Sequence, residues 1–307
     1  MRQFEHLHPA EAAVAAAFST PRRVAMAGVV GMIVAGWAAL VVMAAAGGVI
    51  GTGFAALGPG MAVFDRLADW TGFEQIVFPV VAASGLFAVL AAVCAVDPAA
   101  WTLPQAGIHF AMWVAMALAM MLPTAAPMLR TYAEIADTAA SRGMVVVSPL
   151  VLAAGYLTVW IGFAAGATGL QWAMGQAGVL SSSLAPVTAG IGIALLAMAG
   201  VYQFLPLKAA CLIKCANPFP YLFANWSERR AGIFRLGLHQ GLFCLGCCWA
   251  MMLVMFAVGV MNIVWVAALA AVMTVEKLVG RPWFSRLIGA GFLAWAAAIA
   301  VLWPMPG

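Results

Sequence analysis

Long apolar runs alternate with short polar ones along most of this chain. Each run is close to the length of about 20 residues that a helix needs to cross the hydrocarbon of a bilayer. They fall at 24–48, about 76–96, about 106–129, about 145–170, about 185–205 and about 284–303. Between the last two, Leu238 to Val275 is apolar almost throughout. As one helix that stretch would be roughly 57 Å long, nearly twice the hydrocarbon thickness. It therefore divides into two spans, and the break fits "GVMN" at 259–262, where Gly259 and Asn262 weaken a helix. The pattern predicts an all-α fold, a polytopic transmembrane helix bundle of about eight spans, or seven if one stretch lies at the interface.

Three polar stretches read as connections. Residues 49–75 suggest a loop with a short interfacial helix, "RTYAEIADTAASRG" at 130–143 reads as a polar loop, and 207–236 is the longest later loop. The chain divides into a polar N-terminal segment (1–23), two spans with their connection (24–104), and the remaining bundle (105–307). The first apolar run outlasts a signal-peptide core of about 7–15 residues, so it reads as an uncleaved anchor helix.

Composition agrees. Hydrophobic residues make up 66% of the 307 and charged ones 8%, against roughly 25% charged in a soluble domain. So few charges cannot cover a water-facing surface, and a multi-pass protein of the cell inner membrane, with lipid as its surroundings, is expected. The net charge of +4 is small and its basic residues sit in short loops, which argues against nucleic acid as a partner. Orientation is contested. With eight spans, most Lys and Arg collect on one side, whereas Arg22 and Arg23 directly precede the first span and vote the other way.

One inference needs no orientation. The third span ends, the fifth ends and the sixth begins on the same face. That places "MALAMMLP" (116–123), "CLIKC" (211–215) and the start of "HQGLFCLGCCWAMM" (239–252) near one another. Five of the six cysteines lie between 211 and 248: Cys211, Cys215, Cys244, Cys247 and Cys248. On a helix, Cys211 and Cys215 stand one turn apart and about 40° around the axis, which suits a shared metal better than a disulfide. Cys244, Cys247 and Cys248 form one sulfur-bearing face. The competing explanation is packing, since small side chains let helices approach closely.

His239 is about 140° from Cys244 and about 7.5 Å along the axis, so it meets that sulfur only if the first turn frays. Met120 and Met121 add thioethers, although methionines at helical spacing usually pack. The loop holding Lys208, Lys214 and Arg229 offers positive charge to offset thiolates. Thiolates and thioethers favour Cu(I), and thiolates also Zn. Calcium and magnesium want oxygen ligands, which the apolar spans barely contain. No phosphate-binding loop, nucleophile elbow or metalloprotease histidine pair is present, and no catalytic role is assigned.

The segments "YQFLPLKAACLIKCANP", "GLHQGLFCLGCCWAMMLVMFAVGVMNIVW", Glu276–Lys277 and "AMMLP" resemble the DUF2182 family of bacterial integral membrane proteins, described as predicted metal-binding. Ala216 departs from the arginine expected there. The resemblance implies metal handling. The residues support a site made of Cys211, Cys215, Cys244, Cys247 and Cys248, with His239, Met120 and Met121 at its edge. It would take a transition metal ion, Cu(I) before Zn, exchanged with a metal-donor or metal-acceptor protein. Two alternatives stay open: a membrane thiol–disulfide or electron-transfer protein, and a structural assembly subunit whose cysteines only pack.

Overall fold

The computed structural model describes residues 21–46, 101–180, 188–260 and 262–302. Among these residues the fold is an all-α bundle. Its helices are α1 (Pro21–Ala46), α2 (Leu103–Met116), α3 (Leu122–Ser141), α4 (Pro149–Gln176), α5 (Ala189–Tyr202), α6 (Pro206–Ala216), α7 (Phe219–Ala224), α8 (Arg230–Val258), α9 (Ile263–Val279) and α10 (Pro282–Leu302). A π-helical turn, Ala117–Met121, joins α2 to α3 without a break. Pro123 explains it: proline has no N–H for the Ala119 carbonyl and its ring crowds that oxygen, so the backbone widens there.

Among the described residues, five stretches are long and apolar enough to cross a membrane: α1, α2–α3, α4, α8 and α10. A sixth arises if α5 and α6, bent by 66° relative to each other, act as one broken span. The expected span at 76–96 and the interfacial helix within 49–75 lie outside the described residues. The break at 259–262 is where the sequence places it. Gly259 adopts φ 89°, and the Asn262 side chain caps α9 by accepting from the Trp265 N–H at 3.3 Å.

Two expected loops are helical instead. The stretch 130–143 continues α3 to Ser141. Tyr132, Ala133, Ala136 and Ala139 recur at helical spacing and are buried, while Arg130 and Glu134 pair across one turn on the outside at 2.9 Å. Residues 207–236 contain α6, α7 and the first turns of α8.

The core centres on α8, which packs against α4, α5, α6 and α9, while α10 covers α5 and α1 covers the π turn. The α4–α8 crossing rests on glycines. A Cβ on Gly155 would collide with the Phe234 carbonyl oxygen, and one on Gly237 with the Leu152 carbonyl oxygen. Backbones this close are the usual reason for small residues at a helix crossing in an apolar bundle.

Candidate metal centre

The α4–α8 crossing fixes Tyr156 against the cysteine face of α8, and α6 lies along the same face from the other side. The sulfurs of Cys215, Cys244 and Cys247 lie within 4.8 Å of one another. Two metal–thiolate bonds of about 2.3 Å span a similar distance, so one ion can reach all three. Cys244, Cys247 and Cys248 are buried, whereas Cys211 and Cys215 are partly exposed. All five are free thiols. The Cys248 sulfur is 3.3 Å from that of Cys247, and the Cys247 thiol donates to the Cys244 carbonyl at 3.2 Å.

A ring of polar groups closes on the Cys244 sulfur. The Lys277 ammonium donates to this sulfur at 2.9 Å and to the Thr124 hydroxyl at 2.6 Å. Thr124 in turn donates to the Met121 carbonyl at 2.7 Å. The Tyr156 hydroxyl donates to that same carbonyl at 3.0 Å and stands 2.9 Å from the Cys244 sulfur. The ring draws on the π turn, α3, α4, α8 and α9, and its members are buried. A buried ammonium without a partner is costly, so its placement on a thiol sulfur matches a site where sulfur carries negative charge.

A family profile described as PpoB2, copper chaperone, matches residues 110–299. The chain belongs to this family. No curated protein and no solved structure matches it. The stretch matched to the copper chaperone family holds the three clustered thiols and every member of the ring. Their donor chemistry fits a copper-related role, because three soft sulfurs converge and Glu276, the carboxylate next to Lys277 in the chain, is engaged elsewhere. Glu276 accepts from Lys208 at 2.8 Å and from the Ser285 hydroxyl at 2.6 Å.

The other residues expected at the site are placed differently. Cys211 lies outside the close trio, with its sulfur against Gly246, where a Cβ would stand 2.7 Å from it. His239 is exposed on an intact helical turn, since α8 begins nine residues earlier, at Arg230. Its Nδ1 is 2.8 Å from the Tyr221 hydroxyl. Burial pushes the Tyr221 phenol up, so it stays protonated at this contact. Met120 and Met121 are fully buried in the π turn, and Met121 reaches the ring through its carbonyl. The expected counter-charges are also employed otherwise. Lys208 pairs with Glu276, and the Lys214 ammonium sits 4.6 Å above the Phe243 ring.

Sequence reasoning passed over Tyr156 and Thr124, and read Lys277 as a topology charge and as part of the Glu276–Lys277 pair in the family resemblance, with no role at the sulfurs. The available signal was general: polar or ionisable side chains inside apolar runs are costly and mark function.

Proposed function

We propose that this protein is a membrane-embedded copper-handling protein that holds a soft transition ion, Cu(I) before Zn, on Cys215, Cys244 and Cys247. The observation that carries this reading is the convergence of three sulfurs within 4.8 Å beside a buried ammonium. Cys248 stands next to the trio as a further thiolate for a fourth bond or a second position. Met120, Met121 and His239 are left out of the coordinating set, with Met121 acting through its carbonyl. The family's description as copper chaperone and the resemblance to DUF2182 proteins support delivery or storage, with metal-donor or metal-acceptor proteins as partners. The apolar helices support a multi-pass location in the inner membrane.

The test is anaerobic purification in detergent followed by elemental analysis, with a variant carrying Cys244→Ser, Cys247→Ser and Cys248→Ser. Near-stoichiometric copper that disappears in the variant is expected. A metal-free protein whose thiols oxidise reversibly in pairs would instead support thiol–disulfide chemistry, and inert thiols would reduce the cluster to packing.

Cys211 is the outer thiol of this reading. It is half-buried, as is Cys215 one helical turn away, while Cys244, Cys247 and Cys248 are sealed. On this reading Cys211 offers an ion leaving along α6 a further soft ligand. Cys211→Ser is expected to keep the bound ion but slow its removal by a soft chelator several-fold, measured by stopped-flow absorbance. Unchanged release would take Cys211 off the exchange route.

A further inference from the structure

We infer that Lys277 sets the charge of the ion this site accepts, favouring a monovalent soft cation over a divalent one on the same thiolates. The inference rests on the metal reading above and adds a specificity determinant to it.

The Lys277 ammonium is 2.9 Å from the Cys244 sulfur, and Lys277 is buried on a helix whose neighbouring carboxylate, Glu276, faces Lys208 and Ser285 instead. No carboxylate therefore accompanies the ammonium in the ring, where its other contact is the neutral Thr124 hydroxyl. An ion bound to Cys244 would lie no more than about 5 Å from Nζ, given metal–thiolate bonds of about 2.3 Å. Lysine is a compact point charge, so its field at the ion is strong and directional. All cations feel this repulsion, but a divalent ion feels it twice. With the donors unchanged, the difference amounts to one unit charge against another at about 5 Å. Even with the strong screening typical of protein sites, that shifts an equilibrium by roughly two orders of magnitude. The thiolates still bind, because the ammonium also offsets their own mutual repulsion. What the lysine changes is which valence they hold best.

Two soft probes of different charge isolate this effect, because softness is then shared and valence is not. The full-length protein, anaerobic in detergent, is loaded with Cd(II), which reports through its thiolate charge-transfer absorption. Ag(I) is then titrated in. Half-displacement is read for wild type, Lys277→Met, Lys277→Gln and Lys277→Arg. The expected result is that both neutral variants need at least about tenfold more Ag(I) per Cd(II), while Lys277→Arg stays near wild type. Neutral variants that hold Cd(II) with an unchanged ratio overturn the inference. A three-cysteine peptide without a cation supplies a second measurement independent of variant folding. Wild type should prefer Ag(I) over Cd(II) at least about tenfold more than the peptide does, and an equal preference overturns the inference as well. Wild type that binds neither ion would instead bring down the metal reading itself.

Discussion

Gly237→Ala is expected to destabilise the bundle and open the cysteine cluster, and Gly155→Ala to do the same. A methyl group at either position meets backbone: the Leu152 carbonyl oxygen from Gly237, the Phe234 carbonyl oxygen from Gly155. Backbone cannot rotate aside as a flexible side chain can. The two helices must separate, and overpacking of this kind costs on the order of 1–3 kcal/mol, here toward the upper end. The crossing also sets the site. Tyr156 follows Gly155 directly, and its hydroxyl is 2.9 Å from the sulfur of Cys244, two turns beyond Gly237 on α8. Separation should therefore expose Cys244, which is fully buried. Two measurements check this: the unfolding midpoint in detergent and the alkylation rate of Cys244. Gly162→Ala on α4 is the control, because nothing lies within 4 Å of its Cβ position. It should be neutral or stabilising by up to about 1 kcal/mol. A Gly237→Ala protein as stable as wild type, with Cys244 still protected, would mean that the helices do not cross where the glycines place them.

The helices were legible because apolar runs near the membrane thickness have few other solutions, and the split of 238–275 followed from length alone. The continuation of α3 to Ser141 was not legible. Its buried stripe is made largely of alanines at 133, 136 and 139, and alanine marks a core face only weakly. The charges Arg130 and Glu134 on the opposite face made the segment look like a loop. In and just before residues 207–236, Pro206, Pro218 and Pro220 interrupt any long helical pattern. Pro206 instead sits at the start of α6, where its missing N–H costs nothing.

Within the site, the i,i+4 spacing gave each cysteine pair but not how the pairs meet. Which sulfur of α6 faces which of α8 depends on the approach of two helices, here permitted by Gly246 beneath Cys211. It is Cys215 that joins Cys244 and Cys247, leaving Cys211 outside. The role of Lys277 was hidden for a related reason, although Glu276–Lys277 is part of the family resemblance. Near the end of an apolar run a lysine reads as a flanking anchor. Only its rotation relative to Glu276, about 100° on a helix, shows that the two adjacent charges face different neighbours.

That rotation makes Glu276 the second sensitive position. Glu276→Ala is expected to cost about 3–5 kcal/mol, because it leaves the Lys208 ammonium buried without its partner. Both side chains are fully buried, 2.8 Å apart, so solvent cannot take over. The Ser285 hydroxyl also loses its acceptor. The double variant Lys208→Met and Glu276→Leu removes both charges at similar volume and should recover most of that loss, since such replacements are often near neutral. Comparing the two separates stability from placement. The ion pair ties α6, which carries Cys211 and Cys215, to α9, which carries Lys277. If the pair also sets the position of α6, the double variant should fold with a normal unfolding midpoint yet bind its ion more weakly than wild type. A single variant with an unchanged midpoint would show that the pair contributes nothing to folding. A double variant with wild-type stability and metal affinity would show that packing alone brings Cys215 to the sulfurs of α8.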